Sequence, residues 1–294
     1  PQPLVLVEKG HRTPLSVSYQ TKSKKESPMS TENFIIELFC PVDDKMSNVE
    51  KHSQATLYPS EVVTLALLFA LKGVGNRAFY RWLIRDYHHL FPRLPHRTRL
   101  FRLCNSHRHW TDLFMADHSL IGLVDTYGIE LIHPRREGRS GQQIGRKGMS
   151  NKRWIVGGKL CFILNYLGLI VDWDVNSANV YDGSAFQDTV NKHEPYMVIF
   201  SDEGFVKQGW FPDNLKICRR GEWNTRMIVE TVLSMLTLVC HFKKVMHRAW
   251  PYFKSRLAYT MALFNILVQW DGIQVDEDGC VHFSIAHLSL ALSH

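Results

Sequence analysis

The sequence predicts an α/β domain that follows an all-α amino-terminal region. Helical patterning fills the first third of the chain, short β-rich runs bounded by Gly, Asn, Asp or Pro begin at Leu120, and two long helical patterns come after them. Hydrophobic residues make up 45% of the 294 residues and charged residues 21%, which is a globular composition. We therefore expect most of the chain to fold around a sizeable core.

The amino-terminal third divides into a polar leader and a helical region. Residues 1–29 are polar and contain a lysine-rich run, so we interpret them as a disordered leader. Apolar residues then recur at helical spacing over 30–46, over 60–91 with a break near Gly73, and over 97–115. We assign residues 30–118 to one helical region.

The β-rich part starts at residue 119. Strands are predicted over 120–125, 159–166, 169–175, 196–201 and 215–218. The second and third are close enough to form a hairpin, and a helix over 181–193 separates the third from the fourth. Helices over 224–245 and 251–270 complete a domain of residues 119–272, which leaves a weakly patterned tail, 273–294.

The charge and cysteine content point to an intracellular protein with a polyanionic partner. The 35 Lys and Arg exceed the 28 Asp and Glu, which gives a net charge of +7 and a pI near 9.1. The six cysteines are scattered, as in reduced cytoplasmic proteins. Cys104, His107, His109 and His118 lie close in sequence, but their spacing matches no standard zinc site. Because the longest apolar run, 62–71, is short, we expect no membrane anchor.

Two groups of basic residues are candidates for contact with DNA. One is the segment 134–154, which has a single acid, Glu137, and several glycines, so it is predicted to be a flexible loop that clamps phosphates; the alternative is a solvated charged loop. The other lies on the helix after Pro95, within the helical region 30–118, which we expect to bind DNA. This helix could enter a major groove; the alternative is a helical subdomain whose arginines are merely surface residues. The candidates are Arg97, Arg99, Arg102, Arg135, Arg136, Arg139, Arg146, Lys147, Lys152 and Arg153.

Three acids occupy positions suited to chemistry. Asp125 and Asp202 each end a predicted strand, and Glu230 lies in a predicted helix, one turn after Arg226. Carboxylate oxygens are the ligands that Mg²⁺ or Mn²⁺ prefers, and three such groups can hold two ions. The alternative is that the acids are incidental, since acids often end strands and Arg226 with Glu230 is an ordinary helix-surface ion pair.

The sequence around these acids resembles the three acidic blocks of bacterial insertion-sequence DDE transposases. The order of the blocks matches, and they read Leu-Val-Asp-Thr at 123–126, Phe-Ser-Asp-Glu-Gly-Phe at 200–205 and Arg-Met-Ile-Val-Glu-Thr-Val-Leu-Ser at 226–234. A Phe-Cys-Pro-Val-Asp-Asp phrase at 39–44 is similar to one in the branch called IS-nine-eighty-two. Trp223 and Thr237 stand where some relatives have Tyr and Lys. The resemblance spans most of residues 30–270.

The resemblance implies both a fold and an activity. The fold is an RNase H-like mixed sheet flanked by helices, and the site is Asp125, Asp202 and Glu230 holding two Mg²⁺ or Mn²⁺ ions, with Arg226 in support. The activity is cleavage at the ends of a mobile element, followed by transfer of the 3′-OH strand to target DNA. The implied partners are double-stranded terminal inverted repeats, target DNA and a second copy of the chain. The alternatives are a stand-alone metal-dependent nuclease and a catalytically silent DNA-binding protein derived from a transposase.

Overall fold

A six-stranded mixed sheet with helices packed against it forms the centre of the protein. The computed structural model describes residues 29–150, 152–202, 205, 212–218, 226–242, 245, 247–277, 281–282 and 285, except for the side chains of Arg226 and Met227. Residues 1–28 of the predicted leader, 1–29, lie outside these residues. The mixed α/β class predicted from the sequence is confirmed.

The amino-terminal helices follow the predicted pattern, with the break where it was expected. Helix α1 begins after Ser30, whose side chain accepts a hydrogen bond from the Asn33 amide at 3.2 Å. Helix α2 ends at Gly73, which has a φ of +65° that a side chain would strain. The elements are α1 (Thr31–Lys45), α2 (Pro59–Lys72), α3 (Asn76–Tyr87), α4 (Arg97–Ser106) and a 3₁₀ helix (Arg108–Phe114).

The remaining elements are a mixture of strands and helices. They are β1 (Ile121–Ile132), a 3₁₀ turn (Pro134–Arg136), β2 (Arg146–Ser150), β3 (Arg153–Asn165), β4 (Ile170–Ser177), α5 (Asp182–Ala185), α6 (Gln187–Asn191), β5 (Val198–Ser201), β6 (Leu215–Ile217), α7 (Arg226–Leu238), α8 (Trp250–Asp271), β7 (Gln274–Val275) and β8 (Val281–His282). The hairpin of β3 and β4 is confirmed, whereas the helix predicted over 181–193 is two short helices.

The main sheet combines antiparallel and parallel pairing. Strand β3 pairs antiparallel with β1 along one edge and with β4 and β2 along different parts of its length. On the other side of β1, β5 and then β6 add parallel strands. The order across the sheet is therefore β4, β3, β1, β5, β6. Strand β2 pairs with the first residues of β3, before the part of β3 that pairs with β4. Strands β7 and β8 form a separate two-stranded sheet.

Two predictions about this region are wrong. Strand β1 does not end at Asp125 but continues to Ile132, because β3 stays paired with it along this length. The segment 134–154 is not one flexible loop, because 146–150 forms β2. The glycines there permit close packing: a side chain at Gly148 would collide with the carbonyl oxygen of Ala178, and one at Gly145 with that of Gly157.

The two faces of the sheet are covered by different hydrophobic clusters. Because side chains alternate along a strand, Leu123 joins the cluster formed with the helices, while Val124 joins a smaller cluster with α6 on the opposite face. The larger cluster includes buried side chains of α1, α2, α4, α7 and α8. The buried guanidinium of Arg256, in α8, donates hydrogen bonds to the carbonyl oxygens of Phe69 and Ala70. Helix α8 is thereby fixed to the end of α2.

The lengths and apolarity of the described helices were compared with those of membrane spans. None of these helices alone is long and apolar enough to cross a membrane, although α2 and α3 taken together would pass such a test despite a bend of 115° between them.

Candidate active site

Asp125 lies on β1, and Asp202 directly follows the adjacent parallel strand, β5. Strands β1 and β5 pair in the register Ile121 with Val198 and Leu123 with Phe200. The same register, continued for two residues beyond this pairing, brings the position of Asp125 opposite that of Asp202. Neighbouring strands are about 4.8 Å apart, so the two positions lie at the same level of the sheet, where β5 ends.

Strand β5 stops beside β1, whereas β1 continues to Ile132. Strand β5 ends at Ser201, and Asp202 is an exposed residue immediately after it. The carbonyl oxygen of Asp202 accepts hydrogen bonds from the Ser201 hydroxyl at 3.2 Å and from the Phe205 amide at 3.3 Å. Past this point, β3 is the strand that pairs with β1 among the residues that the structure describes. The half-buried Asp125 therefore lies where one parallel neighbour ends, which is where ligands of such sheets commonly bind.

The backbone beside Asp125 is held from the opposite face. The Thr126 amide donates to Asp125 Oδ1 at 2.7 Å, and the Thr126 hydroxyl donates to Asp182 Oδ2 at 2.6 Å. Asp182 Oδ1 also accepts from Lys159 Nζ at 2.5 Å, and that ammonium lies in a largely buried position. This network ties β1 and β3 to the start of α5. It restricts the strand immediately after the first candidate ligand.

A buried thiol behind the site reports the concentration of negative charge. Cys161 pairs with Thr126 across β3 and β1, and it is fully buried. Burial raises the pKa of this thiol well above its ordinary value, and the nearby carboxylate of Asp125 adds to the effect. The thiol is therefore protonated at neutral pH. It belongs to the core, not to the chemistry.

Glu230 lies on the helix that covers the same face of the sheet. Helix α7 buries Val229, Val232 and Leu236 in the cluster that also contains Leu123, while Glu230 itself is exposed. Leu123 and Asp125 are two residues apart on β1 and so share a face. The third candidate acid is thus on a helix whose buried side chains belong to the same large cluster as Leu123. Arg226 begins this helix, but its side chain lies outside the described part of the structure.

The three acids do not form a preassembled cluster. Within the described residues, no group of three or more His, Cys, Asp or Glu side chains converges closely enough to hold a metal ion. The chemistry of the donors still fits a divalent cation at the Asp125–Asp202 pair, because hard carboxylate oxygens are what Mg²⁺ and Mn²⁺ accept.

The four residues considered for zinc are also not brought together. Cys104 is fully buried in α4, and burial raises its pKa to about 12. His118 instead faces His193, with 2.7 Å between Nε2 and Nδ1, and the other ring nitrogen of His193 is 3.0 Å from Asp172 Oδ2. These contacts link the start of β1 to β4 and α6. They have the form of a structural network.

The candidate DNA-contacting residues are at the surface, in two separate places. Arg99 and Arg102 are exposed on α4, and Arg97 is partly buried at its start. The second set flanks and occupies β2 and the start of β3, and all of its members are exposed: Arg135, Arg136, Arg139, Arg146, Lys147, Lys152 and Arg153. Glu137 lies 3.8 Å from Lys147. The second set is carried partly by paired strands, so its positions are more constrained than those of a free loop.

Sequence reasoning missed one aromatic residue in the second basic set. Trp154 is exposed on β3 and directly follows Arg153. An aromatic residue inside an arginine- and lysine-rich segment was the available signal, but it could not be used without knowing that 146–150 forms a strand that pairs beside it. The Thr126–Asp182–Lys159 network was missed because its members are 56 and 23 residues apart in sequence.

Comparison of the chain with protein-family models, with curated proteins and with solved structures finds no match.

Proposed function

We propose that this protein is a DNA transposase of the DDE type, with an RNase H-like catalytic domain. The observation that carries the proposal is the pairing of β1 with β5, whose register brings Asp125 opposite Asp202. The strand order supports the RNase H-like assignment, because three antiparallel strands, β4, β3 and β1, are extended on the side of β1 by two parallel strands. The acid-bearing helix α7 follows the sheet in sequence, and its buried side chains belong to the same large cluster as Leu123 of β1.

Asp125 and Asp202 would hold the divalent cation, and Glu230 would complete the site when DNA is bound. A bound Mg²⁺ or Mn²⁺ supplies charge stabilisation to the phosphate and lowers the cost of deprotonating a nucleophile. The protein's own contribution is positional. The strand pairing fixes the two aspartates, and the network of Thr126, Lys159 and Asp182 holds the backbone that carries the first of them.

The reaction consists of two displacements at phosphorus. In the first, a water oxygen bonds to the phosphorus at the end of the element, the bond to the 3′ oxygen breaks, and the proton lost by water is balanced by the one gained at the new 3′-OH. In the second, that 3′ oxygen attacks a target phosphodiester and releases a target 3′-OH. No covalent enzyme intermediate is required. Since two ends react, the functional form is a homodimer on DNA, which acts in the bacterial cytoplasm.

The proposal is tested with purified protein, Mg²⁺ or Mn²⁺, a supercoiled plasmid and duplexes copied from both flanks of the gene. Wild-type protein should nick the duplexes and join their 3′ ends to the plasmid, and Asp125→Asn should do neither. Asp44→Asn, an exposed change on α1, is the matched control and should behave as the wild type. Cutting without joined products would favour the stand-alone nuclease, and cutting by Asp125→Asn would refute the assigned site.

A catalytically silent DNA-binding protein is the second candidate. It is favoured by one observation, namely that the described residues contain no converging group of three metal-binding side chains. Under this alternative, wild-type protein binds the duplexes but never cuts them, and Asp125→Asn changes nothing. Under the proposed function, DNA binding survives the substitution while cleavage is lost.

A further inference from the structure

The hairpin formed by β2 and β3 has two large apolar side chains exposed on its surface. Met149 pairs with Trp154 across the two strands, and the side chains are 52% and 53% exposed. Residues directly opposite each other in antiparallel strands have their side chains on the same face, so the two form one small patch. The patch is too small for a stable protein interface, which needs on the order of 800 Å² from each partner.

The patch is surrounded by positive charge. Lys147 Nζ lies 5.4 Å from the centre of the Trp154 ring, and Arg146, Lys152 and Arg153 are exposed on the same hairpin. The sequence contains no Asp or Glu from Gly138 to Val171. The nearest described counter-charge is Glu137, at 3.8 Å from Lys147. The surface therefore combines one aromatic ring with cations that outnumber the single acid beside them, which complements a ligand that is both planar and anionic.

We propose that Trp154, with Met149 beside it, is a stacking platform for an unpaired base of DNA. The inference rests on the proposed function and adds to it a preference for distorted or single-stranded substrate near the cleavage site. Base stacking on an aromatic ring suits any base, since every base has a flat face, while the surrounding cations contact the phosphates. The pairing of β2 with β3 holds the ring in place before DNA arrives, so little ordering is needed on binding.

Trp154 and the candidate acid Asp125 are separated along β3. Phe162 pairs with Asp125, and Trp154 lies eight residues earlier on the same strand, hence on the same face. Eight residues of strand span about 26 Å, which corresponds to roughly eight nucleotides at the spacing of a stacked DNA strand. A DNA strand that follows β3 would place the unpaired base roughly eight nucleotides from the bond that is cut.

The test measures binding without metal ions, so that cleavage plays no part. The probe is a DNA duplex with one unpaired 2-aminopurine, and the control probe has the same base paired. Wild-type protein should quench the unpaired probe, and Trp154→Ala should bind it about tenfold more weakly without quenching. Binding of the paired duplex should change less than about twofold, since the cations remain. Trp154→Phe should retain most of the quenching.

Tyr166→Ala is the matched control, because Tyr166 is another exposed aromatic residue, at the far end of β3. It should leave both probes unaffected. Equal quenching by Trp154→Ala and the wild type would overturn the inference, as would an equal loss of binding to both probes. Failure of the proposed function has a different appearance, since wild-type protein would then cut no DNA in Mg²⁺ whatever the binding assay gives.

Discussion

The two aspartates and the glutamate of the candidate site are held by different parts of the molecule. Asp125 and Asp202 are carried by β1 and by the end of β5, whose parallel pairing sets them side by side. Glu230 is carried by α7, whose buried apolar side chains belong to the larger hydrophobic cluster. Backbone hydrogen bonds fix a strand register in steps of one residue, whereas a helix on an apolar surface can shift or rotate by smaller amounts.

Within the described residues, no group of three metal-binding side chains converges. Under the proposed function, the sheet would supply two of the acids, and the helix would supply a third that joins them when DNA and ions are bound. Substitutions in the sheet and substitutions in α7 should therefore have different effects on metal binding and on DNA cleavage.

The largest effect is expected from the aspartates. Asp125→Asn and Asp202→Asn should each lower the rate of DNA cleavage at least about a thousandfold, equivalent to about 4 kcal/mol of transition-state stabilisation. The double variant should be no slower than either single variant, because the two acids act as one unit. Single-turnover cleavage assays provide the rates. Losses that multiply in the double variant would show that the two acids act separately.

A change in the sheet beneath the pair should have the next largest effect. Phe162 is fully buried and pairs with Asp125 across the strands. Phe162→Ala should lower the free energy of unfolding by at least about 3 kcal/mol, since it removes buried apolar surface and leaves a cavity. Urea unfolding followed by circular dichroism measures this. Tyr166→Ala, an exposed aromatic change on the same hairpin, should cost less than about 0.5 kcal/mol.

Acid should lower the stability of the fold through His247, which precedes α8. Burial lowers the pKa of His247 to about 4, and the positive charge of Arg256 contributes. The pKa of His247 is therefore lower in the folded state than in the unfolded state, where it is near 6.5. The free energy of unfolding has its full value above pH 6.5 and falls as the pH drops towards 4, because the unfolded state binds the proton more tightly.

Between pH 7 and pH 5 the free energy of unfolding should fall by about 2 kcal/mol because of His247. His247→Phe, which cannot be protonated, should remove this part of the pH dependence in urea unfolding. His52→Gln is an exposed control and should leave it in place. An unchanged pH dependence in His247→Phe would mean that this histidine is not the group responsible.

The smallest effect is expected for Glu230 in the absence of DNA. Because it is not part of a converging group, Glu230→Gln should change the affinity for Mn²⁺ by less than about threefold when no DNA is present, although it should still impair cleavage. Isothermal titration gives the affinity, and Glu194→Gln serves as the exposed control. A large loss of Mn²⁺ affinity in Glu230→Gln would mean that the three acids already act together in the free protein.

The sequence indicated the elements of the fold better than their relations. Five strands and the long helices were found because their apolar residues repeat at strand or helix spacing. Strand β2 was missed because Gly148 is the one buried residue among its polar and exposed neighbours, so it has the composition of a loop. The end of β1 was misplaced because its length depends on pairing with β3, which lies more than twenty residues away in sequence.

The candidate site was predictable only in its residue types. Acids after predicted strands could be identified, but the register that sets Asp125 opposite Asp202 is a property of the paired strands and not of either sequence segment. The position of Glu230 relative to them depends on packing of α7, which local patterning does not specify. The Thr126–Asp182 contact likewise follows from the tertiary fold.

The binding of Mn²⁺ to the DNA-free protein tests the central claim most directly. Electron paramagnetic resonance of titrated Mn²⁺ should detect a bound ion in the wild type, and Asp125→Asn and Asp202→Asn should each weaken its binding by at least about tenfold. Asp44→Asn should have no effect. Unchanged Mn²⁺ binding in both aspartate variants would contradict the account, because the strand-paired carboxylates would then not be the metal ligands.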